Sequence, residues 1–218
     1  MSNKFSTSTQ WIGTDEAGKG DYFGPLVIAG VLVDNSTAKS FEELGIKDSK
    51  RLSDSRVKDL AAKIKKMSLF SVVAIGPEKY NELYAEIGNL NHLLAWGHSR
   101  AIENILKKEQ CDYALVDKFG DEKLITKALM EKGRKIQVIQ KVEAESDMAV
   151  AAASILARSE FVHRLAALSL KFGMDFPKGA SPPVIETGKE FVRRYGRQRL
   201  NEVAKIHFKT TKLVLVET

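Results

Sequence analysis

The sequence predicts an α/β domain with a mixed five-stranded sheet: the first three strands are antiparallel, the later ones parallel, and helices flank both groups. Three observations carry this. Residues 24–33, "GPLVIAGVLV", are almost continuously apolar and β-branched, the pattern of a strand covered on both faces. Three β-rich segments come early with short connections, as in a meander. After residue 78, β-rich and helical segments alternate, as in parallel crossovers.

The elements follow in order. Residues 1–10 are polar and read as a disordered lead-in to a single domain over 11–218. Residues 11–15 form a first strand and 24–33 a second. In 53–67, Val57, Leu60, Ala61 and Ile64 recur at helical spacing and Ser53 is a natural cap. Residues 69–75 form a third strand. A helical pattern runs from 78 to 109 with a break near Gly88. "YALVD" (113–117) is a fourth strand that ends on an acid. A helix over 123–133 closes on Gly133, and 135–140 is a fifth strand. Residues 148–173 form a long Ala-rich buried helix. Prolines and Gly179 make 176–184 a loop, and helices follow at 187–195 and on to about 205.

The chain has 218 residues, enough to bury a core without staples. Its single cysteine, Cys111, allows no internal disulfide, and no sequence feature supplies it with a base, so it reads as a packing residue in a reducing compartment. No apolar run approaches the roughly 20 residues of a membrane span, and the polar N-terminus lacks the core of a signal peptide. The expected location is the cytoplasm. The formal charge of +6 suits a polyanionic partner.

Carboxylates recur at strand ends. Asp15 and Glu16 end the first strand and Asp117 the fourth; Glu145 and Asp147 follow the fifth, where the long helix begins. Ligands of such sheets collect beside the strand ends, where the chain reverses. A cluster of carboxylates repels itself unless cations neutralise it. Mg²⁺ suits the role, because it takes oxygen ligands and binds through carboxylates plus substrate phosphate. Two such ions about 4 Å apart clamp a phosphodiester and activate a water. The four histidines and lone cysteine show no zinc spacing, and the histidines read as packing or solvent-edge residues. Beside the acids, "GKGDYFG" places Lys19 between Gly18 and Gly20, so the backbone can approach an anion closely. Lys47, Lys50, Arg51 and Arg56 read either as a solvated charge run or as phosphate contacts; Arg158 and Lys178 are further basic candidates.

"GTDEAGKGDYFGPLV", "KDSKRLS", "NLNHLLAWGH", "ALVDKF", "AESDMAVAAASILAR" and "FPKGAS", in this order, resemble type 2 ribonucleases H, and ribonuclease HIII more than HII. The resemblance spans about residues 11–210. It implies a ribonuclease H-like fold and a monomeric endonuclease that needs no protein partner. Such an enzyme uses two Mg²⁺ or Mn²⁺ ions to cut the RNA strand of RNA–DNA hybrids, leaving 5′-phosphate and 3′-hydroxyl ends. Asp15, Glu16 and Asp117 match the first three metal-binding carboxylates. Glu145 matches the fourth better than Asp147, which stays an alternative, with Glu143 a third. Gly18, Lys19 and Gly20 match the loop that reads ribose 2′-hydroxyls, and Lys50 matches a phosphate contact. Ser154 is expected to be structural.

Two departures stand out. Ribonuclease HIII proteins carry an N-terminal domain like the TATA-binding protein, and only about ten residues precede the first strand here. The expectation is a chain without that domain. Type HII enzymes recognise single ribonucleotides with a C-terminal tyrosine; Tyr195 lies in a different motif, so weak activity on such sites is expected. Incision at single ribonucleotides, a DNA nuclease of the same fold class and a non-catalytic nucleic-acid-binding module are the alternatives.

Overall fold

The computed structural model describes residues 9–46 and 52–216. The five strands are β1 (Gln10–Ala17), β2 (Leu26–Asp34), β3 (Phe70–Ile75), β4 (Tyr113–Asp117) and β5 (Gln137–Lys141). They lie in the order β3-β2-β1-β4-β5. The β1–β2 and β2–β3 pairs are antiparallel; β1–β4 and β4–β5 are parallel. The expected mixed sheet is therefore present.

The helices are α1 (Asn35–Glu43), α2 (Asp54–Met67), α3 (Pro77–Ile87), α4 (Leu90–Leu106), α5 (Glu122–Ala128), α6 (Met148–Phe172), α7 (Pro182–Tyr195) and α8 (Thr210–Leu215). Ser53 caps α2 by accepting a hydrogen bond from Arg56 N. Gly88 ends α3 in the left-handed region, as its place in the sequence suggests. Three expectations fail locally. The connection from β2 to β3 is not short, because α1 lies in it besides the expected α2. The helix after β4 stops at Ala128, and Gly133 opens a 3₁₀ turn (Gly133–Lys135) instead of closing a helix. The 176–184 loop ends early: Pro182 begins α7, its fixed φ suited to a first helical turn.

The sheet divides two cores, and β1 contributes to both by strict alternation. Trp11 packs with α2, α6 and α7 on one face; Ile12 packs with α3, α4 and α5 on the other. Two glycines set how near the helices come. A Cβ on Gly13 would lie 2.2 Å from the backbone of Ala149 and Val150, so only glycine lets the start of α6 rest on β1. A Cβ on Gly97 would lie 2.6 Å from Ile28 Cδ1, so α4 presses equally close to the other face. Both contacts fall beside the acidic end of β1.

Candidate active site

Parallel pairing of β1 with β4 brings two acids from distant sequence side by side. The register runs to Thr14–Val116, and the next step sets Asp15 level with Asp117 on the neighbouring strand. A 3₁₀ turn (Ala144–Ser146) then carries Glu145 to the same place. Ala144 N donates to Asp117 Oδ1 at 3.1 Å and ties this turn to the end of β4. Asp15, Glu16, Asp117 and Glu145 all line one open cleft of about 370 Å³, together with Gly18, Asp21, Ser154, Arg158, Phe161 and Lys178.

Asp147 is not among the residues lining that cleft. It caps α6, accepting from Ala149 N at 2.9 Å and Val150 N at 3.2 Å, and the Trp11 indole Nε1 donates to both its oxygens at 3.1 Å. The structure thus places Asp147 as the cap of α6, outside the cleft that Glu145 lines. Of the two candidates for the fourth position, Glu145 on the 3₁₀ turn lines the cleft, and Asp147 stands at the start of α6.

Burial raises Asp15 to about 7, and the adjacent Glu16 charge adds to the rise; a hydrogen bond from Ser154 and the Glu16 amide opposes it. Ser154 thus touches an acid of the cleft and does more than pack. For Glu16, burial alone raises the pKa, but His98 and then Lys19 outweigh it, and the net shift is downward. His98 Nε2 lies 3.2 Å from Glu16 Oε2, and Lys19 Nζ lies 3.3 Å from Oε1. His98 is fully buried, so the packing role expected of it is correct but incomplete.

The glycine loop is built to be rigid on one side and open on the other. Gly18 has φ +85°, and a Cβ there would lie 2.2 Å from Pro25 O. Gly20 has nothing within 4 Å of where a Cβ would stand, so its backbone faces free space. Tyr22 N donates to Gly179 O, Gly179 N to Asp21 Oδ1, Gly24 N to Val203 O, and Lys205 N to Tyr22 O. Buried Lys205 completes the fastening: its Nζ donates to the Asp21 and Gly24 carbonyls, both at 2.8 Å.

Arg158 and Lys178 meet at an acid the sequence reading passed over. Asp54, at the start of α2, accepts from Arg158 at 2.9 Å and from Lys178 at 2.8 Å. Lys178, and to a lesser extent Arg158, hold its carboxyl below the ordinary range against partial burial. Lys50, with Lys47 and Arg51, lies outside the described residues. Cys111 is half-buried and its thiol is pushed up to about 11 by burial, as a packing residue should be. The Tyr195 hydroxyl donates to Phe172 O and its ring packs on Phe172 and Phe191, away from the cleft.

The cleft offers hard carboxylates: Asp15, Glu16, Asp117 and Glu145, with Asp21 tied to Gly179 N, while the His98 imidazole beside Glu16 is engaged at both nitrogens. That chemistry fits Mg²⁺ or Mn²⁺. Among the described residues no three acids, histidines or cysteines are grouped so that they could hold a metal ion by themselves. Open sites completed by water and substrate phosphate are usual for Mg²⁺.

Residues 12–211 match the family described as Ribonuclease HII. Ribonuclease HIII of Protochlamydia amoebophila is 46% identical over 207 residues, covering 95% of this chain and 69% of that protein. Ribonuclease HIII of Chlamydia abortus is 46% identical over 202 residues, covering 91% and 67%. The crystal structure of Bst-RNase HIII in complex with Mn²⁺ superposes with a TM-score of 0.89 at 33% identity, covering 95% of this chain and 70% of that one. The ribonuclease HII of the Archaeoglobus fulgidus PCNA complex superposes with a TM-score of 0.79 at 32% identity, covering 95% and 98%. With acids, glycine loop and strand order all in the positions just described, the chain belongs to the ribonuclease HII family, and the relatives named here at 46% identity are ribonucleases HIII.

Proposed function

We propose that this protein is a metal-dependent endoribonuclease that hydrolyses the RNA strand of RNA–DNA hybrids. The observation that carries the reading is the meeting, in one cleft, of four carboxylates with a glycine loop whose Gly20 backbone is open. Asp15, Glu16, Asp117 and Glu145 would hold two Mg²⁺ or Mn²⁺ ions. Bound there, the ions supply neutralisation of the phosphate charge and activation of a water.

The remaining work belongs to the chain. Gly18, Lys19 and Gly20 offer backbone to a ribose 2′-hydroxyl, the group that tells RNA from DNA at a given site. Arg158 and Lys178 line the cleft together beside Asp54 and suit a substrate phosphate. Water oxygen bonds to phosphorus as the P–O3′ bond breaks, and the 3′ oxygen takes a proton. The products are a 5′-phosphate and a 3′-hydroxyl. Because one chain lines the whole cleft, a monomer suffices. The substrate class and the single cysteine support action in the cytoplasm. Tyr195, turned into the aromatic core, supports strand cleavage over incision at single ribonucleotides.

The test is cleavage of a labelled RNA–DNA hybrid in Mg²⁺ and in Mn²⁺ by wild type, Asp117→Asn, Glu145→Gln and Asp147→Asn. A DNA duplex and a duplex with one ribonucleotide serve as controls. The hybrid alone should be cut well, the first two variants should be inactive, and Asp147→Asn should stay near wild type. Binding of the hybrid without cleavage in either metal would leave a nucleic-acid-binding module instead.

A further inference from the structure

We infer that His98 is a positioning residue that fixes the Glu16 carboxylate for its role in the cleft; this rests on the nuclease reading above. The ring is fully buried, and each nitrogen has one partner. Nδ1 lies 2.9 Å from Thr14 Oγ1, itself buried, and Nε2 lies 3.2 Å from Glu16 Oε2. A carboxylate only accepts, so Nε2 carries a hydrogen and donates to Glu16. Thr14 meets Nδ1, which leaves the ring one productive orientation. Phe119 stacks on it at 4.9 Å with planes 4° apart and blocks rotation out of line.

The placement follows from the fold. Thr14 and Glu16 are two apart on β1 and so share the sheet face that α4 covers. Gly97, next to His98, is what lets α4 come close enough to Ile28 on that face. The two Glu16 oxygens are then unlike. Oε2 is held from beneath by a buried ring, whereas Oε1 meets Lys19, whose side chain is 39% exposed. His98 therefore presets the carboxylate, and Lys19 is a counter-charge that a cation or phosphate can displace. Partners of this kind behind a metal ligand typically matter 10–100-fold in affinity or rate.

The test measures Mn²⁺ affinity by calorimetry and hybrid cleavage for wild type, His98→Phe, His98→Gln and Thr14→Val. Phe keeps the stack on Phe119 and removes both nitrogens; Gln keeps an N–H near the place of Nε2. His98→Phe should weaken Mn²⁺ binding and lower kcat by roughly 10–100-fold with little change in KM for hybrid. His98→Gln should recover most of both, and Thr14→Val should fall a few-fold short of wild type. Unchanged Mn²⁺ affinity in a folded His98→Phe overturns the inference, as does a Gln variant no better than Phe. If His98→Phe does not fold, Thr14→Val decides: wild-type affinity there also overturns it. A wild type that neither binds Mn²⁺ nor cuts hybrid sinks the nuclease reading itself, whereas an active wild type with unaffected variants sinks only the role of His98.

Discussion

The cleft has two unlike halves. Asp15 and Glu16 stand on a central strand, pinned between α6 and α4, with Ser154, His98 and Lys19 as partners. Asp117 and Glu145 stand at the other side, on the end of a strand and on a 3₁₀ turn held to it by the Ala144 N–H. The first half is desolvated and held by side-chain partners; the second is tied together by a backbone bond between its turn and the end of β4. A two-sided site of this kind lets one half fix position while the other follows the substrate. The largest test removes one acid from each half. Asp15→Asn and Asp117→Asn should each lower hybrid cleavage by on the order of 10³ or more, since neither half acts alone. Their stabilities should then diverge. Asp15→Asn removes a buried charge next to another and should stabilise the metal-free protein by roughly 1–3 kcal/mol in urea unfolding. Asp117→Asn should leave it within about 1 kcal/mol. Equal shifts would mean that the halves are alike.

The preset half depends on a remote fastening. Lys205 sits beneath the glycine loop and faces the Asp21 carboxylate, the Tyr80 ring at 5.6 Å and His207. Burial pushes its pKa from the model-compound 10.5 down to about 7, opposed by Asp21. Between those two values the unfolded chain holds a proton that the folded one has lost, so stability rises with pH across the window and falls as pH drops toward 7. Burial lowers His207, which keeps it below that window, and raises the folded Tyr80 hydroxyl above its ordinary 10.0, so Tyr80 opposes the gain only near the top of the window, where the unfolded phenol ionises. Urea unfolding at several pH values should show wild type gaining on Lys205→Met, as a difference between the two proteins, by on the order of 4 kcal/mol across the window. The same variant frees the loop and should lower kcat/KM for hybrid about tenfold, mostly through KM. Parallel stability curves for the two proteins would contradict this.

What the sequence shows of these halves follows from how local each signal is. The strands and their acids are legible because the apolar pattern and chain order put Asp15 near the end of β1, Asp117 at the end of β4 and Glu145 shortly after β5. α1 is not legible: Phe41 is its one buried residue, too little to make a helical stripe. The role of His98 needs Gly97 to admit α4 against Ile28, a tertiary fact that no spacing carries. Nothing in the sequence marks Lys205. Its burial becomes visible only when the chain returns to meet carbonyls more than 180 residues away. Asp54 is hidden likewise, since a first-turn acid of a helix has an ordinary explanation in the helix dipole.

A smaller effect separates the two acids near the second half. Asp147→Ala removes a helix cap and the partner of Trp11, and should lower stability by about 1 kcal/mol. That corresponds to a melting temperature lower by about 2–4 °C in a chain of this size. Hybrid cleavage below the transition should stay within about threefold of wild type. A loss of activity as deep as that of Glu145→Gln would return Asp147 to the cleft.

The smallest effect concerns the turn itself. Glu143, just ahead of that turn, is the one non-glycine among the described residues with positive φ, at 54°. Its carbonyl accepts from Ser146 N at 3.2 Å, and this bond helps to hold the turn that presents Glu145. A side chain in this region is strained by about 1 kcal/mol, whereas glycine adopts it freely but loses more entropy on folding. The two nearly cancel, so Glu143→Gly should change stability by about 0.5 kcal/mol or less in thermal unfolding. Activity is the sharper readout. If the second half follows the substrate, a looser turn should leave kcat within about twofold and raise KM slightly. If the turn must instead be as rigid as β1, kcat should fall by tenfold or more, and the contrast between the halves would disappear.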